Sequence, residues 1–285
     1  MSSYFSEARK NFHAAVLANL VRMRDASVPS FADKHSRISC EIAKKIVEKM
    51  QGNVGDGQLS GQTSGKVFEE LVMDFINDCF SQLSHLRPGN WQIQTVSKRD
   101  KLFISQFEQY GHLLILDEAA RSNPALAAAL GSDYTITPDI VMFRATEPDS
   151  IINQSTNLVD DNSVTYASLR ARNSGNSILH ASISCKWTIR SDRSQNSRTE
   201  ALNLIRNRKG RTPHIVAVTA EPLPSRIASI ALGTGDIDCV YHFALYELVS
   251  AVHDGNWEDA GDMLRILVDG KRLRDISDLP LDLAI

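Results

Sequence analysis

The stretch 178–190, ILHASISCKWTIR, alternates residue by residue, with Ile183, Cys185, Trp187 and Ile189 on one side and Ser182, Ser184, Lys186, Thr188 and Arg190 on the other. A period of two over that length predicts a β-strand with one apolar and one polar face. A helix is expected from about 195 to 208, then a strand over 213–220, a turn at Pro222–Pro224 and a strand over 237–243. Strands separated by helical segments are the pattern of an α/β fold. Upstream, WQIQTVS (91–97) and TITPDIVMF (135–143) predict two more strands. Pro138 has no N–H to give a ladder, which confines it to a strand start, an edge or a bulge.

Helices are expected over 5–24 and 39–50, after Gly65, over most of 104–130 with a break at Asn123-Pro124, and twice near the end of the chain. The polar segment from Asp25 to Arg37 reads as a loop, Gly52–Gly65 as a flexible glycine loop, and 147–176 as an insertion. Neither a repeat nor a low-complexity linker divides the chain. The expectation is one α/β domain over 1–285, with a central mixed sheet flanked by helices.

Composition removes several classes of function. No run approaches the roughly 18 apolar residues of a membrane helix, and the N-terminus lacks a basic region followed by an apolar one. No membrane partner and a cytoplasmic location are therefore expected. Cys40, Cys79, Cys185 and Cys239 form no CxxC pair and read as buried thiols, not as a disulfide framework or zinc ribbon. GxxxxGK[ST], GxGxxG, GxSxG and HExxH are all missing from the sequence. His112, His180 and His214 lie in apolar segments and read as core residues. The net charge, 31 − 34 = −3, hides an uneven distribution. Between Lys186 and Arg211 eight cations face only Asp192 and Glu200, a local 8 − 2 = +6 suited to phosphate, although a solvated helix face would give the same count.

Chemistry is best supported at Pro138-Asp139 on one strand and Ser184-Cys185-Lys186 on another. A carboxylate can hold a hard divalent cation. Such a cation polarises phosphate and acidifies water, and an ammonium stabilises charge developing at the reacting oxygens. Taken alone, an aspartate at a turn and an ordinary strand lysine would look the same. Directly afterwards, Arg190-Ser191-Asp192-Arg193 offers two guanidinium forks and an acceptor, the groups that read guanine and cytosine edges in the major groove; an ion pair within RSDR is the plainer reading. Glu200 is either a site carboxylate displaced from position 184 or a helix partner of Arg198 or Arg206. Glu69 and Glu70 are equivalent by pattern as a further acid.

These motifs, PD…SISCKWTIRSDR…E followed by RNRKGR and PHIVAVTAEPLPSRI, resemble the type II restriction endonucleases of the NgoMIV group, whose PD-(D/E)xK site carries its second acid on the following helix. GQTSG, LGSDYTITPDI, TYASLRA, GTGDIDCVYHFALYEL and GKRLRDISDLPLDLA extend the similarity over nearly the whole chain. The resemblance implies a PD-(D/E)xK restriction-endonuclease-like fold and magnesium-dependent cleavage of double-stranded DNA at a CCGG-core palindrome, with GCCGGC suggested. It makes Asp139 the principal metal ligand, assisted by the main-chain carbonyl of Cys185, and Lys186 the catalytic lysine. Glu200 becomes the displaced acid, Glu69 the additional carboxylate, and Ser184 the residue standing where the usual pattern has an acid. Base or groove contacts fall to Arg190, Asp192, Arg193, Arg226, Gln62 and Asp33, the last in a segment that departs from the family pattern by a gap. A homotetramer built as a dimer of dimers, and a companion DNA methyltransferase in the cell, are also implied. The competing expectations are a DNA-binding protein that does not cleave and a repair or structure-specific nuclease of the same superfamily.

Overall fold

The computed structural model describes residues 2–24, 28–50, 52–131, 134–189, 191–233 and 235–285, with the side chains of 191–195 left out. Helix α1 (Tyr4–Asn19) leads through two short strands, β1 (Met23–Arg24) and β2 (Val28–Pro29), to α2 (Arg37–Met50) and the long α3 (Gly61–Ser81). Strand β3 (Trp91–Thr95), helices α4 (His112–Ser122) and α5 (Pro124–Leu130), strand β4 (Ile140–Arg144) and the single turn α6 (Asp149–Ile152) follow. Then come β5 (Ile178–Lys186), α7 (Ser191–Asn207), β6 (His214–Thr219), α8 (Pro224–Ala231) and β7 (Cys239–His242). The chain closes with α9 (Leu245–Asp254), α10 (Glu258–Asp269), β8 (Leu273–Asp275) and α11 (Leu279–Asp282).

Six strands form one sheet in the order β3-β4-β5-β6-β7-β8. The β3/β4 and β4/β5 pairs are antiparallel, and β5 through β8 run parallel. The expected mixed α/β sheet flanked by helices is therefore present. The parallel half arises because α7, α8 and the α9–α10 pair provide the three crossovers that parallel neighbours require. Among the described residues no helix is long and apolar enough to cross a membrane.

Several expected boundaries move. The strand expected over 135–143 begins only at Ile140, so Pro138 lies outside the ladder. The strand expected over 178–190 ends at Lys186, and α7 starts at Ser191, earlier than expected, which puts Ser191-Asp192-Arg193 at a helix start. Gly61–Gly65 is not a loop, because Ser60 caps the helix by accepting the Thr63 amide. The loop expected over 25–37 contains β2, and β8 was not expected at all. Nor is the polar face of β5 exposed: as an interior strand it is buried on both faces from Leu179 to Cys185. The segment 147–176 is gathered around Arg170, whose guanidinium grips Asp149 through two bonds of 2.6 and 2.7 Å and donates to the Ser163 and Asp160 carbonyls.

The aromatic core fixes the Lys186 end of β5. Trp187 packs against Phe31, Phe68 and Phe243 with ring centroids 5.5, 5.2 and 6.0 Å away. Cys79, Cys185 and Cys239 are buried and Cys40 half-buried, all as free thiols. His180 is buried as expected, while His112 and His214 remain partly exposed.

Candidate active site

Antiparallel pairing of β4 with β5 matches Ile140 to Ile183. One residue before that pair, Asp139 arrives beside the end of β5, 2% exposed. Its Oδ2 accepts the Cys185 amide at 2.8 Å and the Lys186 Nζ at 3.0 Å. Lys186 is aimed here because Trp187, next along the chain, is drawn into the aromatic core. The Asp139 carbonyl accepts the Val96 amide at 3.0 Å, which carries β3's exit past the same carboxylate. Lys98 therefore reaches Asp139 Oδ1 from the other side, at 3.1 Å. Burial pushes the Asp139 carboxyl up, but Lys186, Lys98 and the Cys185 amide together hold it below its usual range.

Glu69 and Glu200 complete the acidic side. Phe68 packs on Trp187, so the next residue, Glu69, is held at the site, with Oε1 4.0 Å from Lys98 Nζ. Glu70 points away to a surface pair with Lys66, which separates two residues that the pattern left equivalent. Burial first and Asp139 second raise the Glu69 carboxyl above its ordinary value. The same two causes push Glu200 up to about 7, against the pull of Lys186 and Lys98. Glu200 thus senses the Asp139 centre, whereas Arg198 turns to Asp236, 4.0 Å away. Ser184 shares the strand face of Lys186, and its buried Oγ has no hydrogen-bond partner among the described residues.

The arrangement suits a divalent cation. The Asp139 carboxylate raises the proton affinity of both Glu69 and Glu200, an effect that added positive charge would relieve. Their donor atoms are the hard oxygens that magnesium prefers, a metal usually held by one or two carboxylates and water. Among the described residues, however, no three His, Cys, Asp or Glu side chains are drawn together tightly enough to grip a metal unaided. The two ammoniums around Asp139 supply the balancing charge in this structure.

A second group of residues lies beyond β6. Arg226, in the first turn of α8, forms an ion pair with Asp33. Its other arm lies 3.9 Å from the buried carboxylate of Glu221. Asp33 accepts the His35 amide at 3.0 Å, and that bond together with Arg226 holds its carboxyl low. Two residues that the resemblance names separately are thus brought together. Gln62 is exposed on the first turn of α3, apart from that pair. Arg190 and the side chains of Asp192 and Arg193 lie outside the described residues. Lys98 and Glu221 were missed by sequence reading. The only available signal for Lys98 was its place three residues beyond a strand, which has meaning only once the β3/β4 register is known.

An aspartate at the mouth of one strand, a lysine ending the next and an acid on the following helix match the arrangement that the sequence resemblance implies. The family model described as NgoMIV restriction enzyme matches residues 12–285. The chain is 55% identical over 286 residues to the type II restriction enzyme NgoMIV of Neisseria gonorrhoeae, covering 100% of both chains. It belongs to the NgoMIV restriction enzyme family and is a type II restriction endonuclease, a site-specific deoxyribonuclease. Enzymes of this kind typically use a divalent metal. Among solved structures it is similar to the type IIF restriction endonuclease Bse634I with cognate DNA (13% identity, TM-score 0.40, 91% of this chain and 92% of that one). It is also similar to the pre-specific restriction endonuclease BsaWI in a DNA complex (12% identity, TM-score 0.30, 71% and 66%).

Proposed function

We propose that the enzyme hydrolyses phosphodiester bonds of double-stranded DNA at a CCGG-core palindrome, read as GCCGGC, in a magnesium-dependent reaction at the Asp139 centre. The observation carrying this reading is the Asp139 carboxylate, fixed by the Cys185 amide and flanked by two lysine ammoniums within 3.1 Å. Asp139 would hold the cation, with the Cys185 carbonyl on the same strand edge as its amide and Glu200 and Glu69 nearby. Bound there, the cation supplies Lewis acidity toward a phosphate oxygen and a more acidic water. Lys186, anchored at 3.0 Å, places positive charge where the reacting phosphate becomes more negative. Without metal, burial and Asp139 push the Glu200 carboxyl up to about 7; a bound cation would lower it and leave the carboxylate as an oxygen donor.

Arg226 and Asp33 present a guanidinium fork beside a carboxylate, the donor and acceptor pair that guanine and cytosine edges require for the outer base pair. Arg190, Asp192 and Arg193 read the core in this proposal, and Gln62 meets the minor groove. A Cβ at Gly61 or Gly65 would touch nothing in the protein, so the first turns of α3 leave their outer surface open to close approach. By family likeness the enzyme acts in the cytoplasm as a homotetramer, alongside a methyltransferase that protects the host's own sites.

Digestion of a plasmid of known sequence, with and without magnesium, followed by mapping of the ends, tests this reading. Ends confined to GCCGGC and formed only with the metal support it. Sequence-specific binding without cleavage, or cleavage governed by DNA structure, would replace it.

A further inference from the structure

We propose that Glu221 is a positioning residue for sequence discrimination, clamping two base-reading segments to the strand that ends in the catalytic lysine. The inference rests on the reading of Arg226 and the RSDR segment as base contacts. Glu221 lies two residues beyond the end of β6 and is 1% exposed. A carboxylate so buried has to use its oxygens internally, and Glu221 uses both. Oε2 accepts the Ile189 amide at 2.9 Å and Oε1 the Leu223 amide at 3.2 Å.

Ile189 immediately precedes Arg190, and Leu223 immediately precedes α8, the helix that bears Arg226. A single side chain therefore fixes the points at which both reading segments leave the sheet. Leu223 has no side-chain cap of its own to offer α8. Arg226 Nη1 stands 3.9 Å from the same Oε2 while its Nη2 engages Asp33, so Glu221 also helps to orient the guanidinium.

The chain of contacts continues to the catalytic centre. The Glu221 amide donates to Thr219 Oγ1 at 3.1 Å, and that hydroxyl donates to the Lys186 carbonyl at 2.8 Å. Only two residues, Trp187 and Thr188, separate Lys186 from Ile189, and Glu221 spans them from across the sheet. A shift of its carboxylate would therefore displace the reading groups relative to the lysine without touching either DNA or the reacting phosphate.

The test is the ratio of kcat/KM on a GCCGGC duplex to kcat/KM on a duplex altered at the outer pair, for the full-length enzyme and Glu221→Gln. The glutamine keeps the shape but has one accepting oxygen for two amides, and loss of such a bond predicts that the ratio falls by about tenfold or more. A purely structural role lowers the active fraction on both duplexes equally, which cancels, so a ratio unchanged within about twofold overturns the proposal. Should Glu221→Gln not fold, Glu221→Asp, which retracts the charge by one methylene, is read in the same way. A wild-type enzyme that does not discriminate between the duplexes would instead overturn the underlying reading of the site.

Discussion

Replacing Glu200 with glutamine should stabilise the metal-free protein at neutral pH and leave its stability unchanged in acid. The Glu200 carboxyl is pushed up to about 7, by burial first and by Asp139 second, from an ordinary value of 4.5. The native state thus binds this proton more tightly than the unfolded chain does. Below pH 4.5 both states are protonated and the group is neutral in the balance. Between 4.5 and 7 the native state is penalised progressively, and above 7 the penalty is complete. At ~1.4 kcal/mol per pH unit the difference of 7 − 4.5 sets a ceiling of about 3–4 kcal/mol. Glutamine carries no such penalty, so the variant's advantage over wild type should rise through that window and then level off. Denaturant unfolding of both proteins at pH 4.5, 6, 7 and 8 in the presence of EDTA measures this difference, while the other titrating groups cancel. A flat difference would refute the reasoning. So would a variant less stable at pH 8 by about 0.3–0.5 kcal/mol, the result expected if Glu200 only paired with a neighbouring helix cation.

Lys98 lowers the carboxyls of Glu69 and Glu200. Lys98→Met should therefore raise both and move the acid limb of the cleavage pH profile upward by as much as about one unit; an unmoved limb would remove Lys98 from the centre. Arg226→Ala should lose roughly 1–3 kcal/mol of discrimination at one base pair, measured by competition binding with single-base variants of the site, instead of weakening all sequences alike. Arg9 bonds the buried Asp275 at 2.8 and 2.9 Å and also pairs with Glu247. Arg9→Ala should destabilise the fold by about 3–5 kcal/mol in denaturant unfolding, because a buried carboxylate is left uncompensated.

Local pattern was enough to single out Asp139 and Lys186 as candidates, since a period-two strand and a proline step are visible in a few residues, but only the fold brings their side chains to 3.0 Å. It was not enough to choose between Glu69 and Glu70, because what separates them is Phe68 docking on Trp187, a contact across more than a hundred residues. Lys98 was hidden for a related reason: its approach to Asp139 depends on the β3/β4 register. The polar face of β5 suggested a strand half open to water, yet Ser182 and Ser184 are 2% and 8% exposed, because β5 is an interior strand covered on both faces. Strand β8 spans three residues and pairs in parallel only with β7, too short a pattern to register against the helices around it. The link from Glu221 to the segments at Ile189 and Leu223 consists of backbone amides, which carry no residue-type signature at all.

The most direct test of the Asp139 centre is a paired measurement on Asp139→Asn. The amide keeps the side chain's shape and can still accept the Cys185 amide, but it loses the charge that a cation and two ammoniums require. Binding to a GCCGGC duplex and cleavage of the same duplex in saturating magnesium should separate, with binding within a few-fold of wild type and cleavage abolished. Substantial cleavage by the variant would place the reaction elsewhere in the molecule.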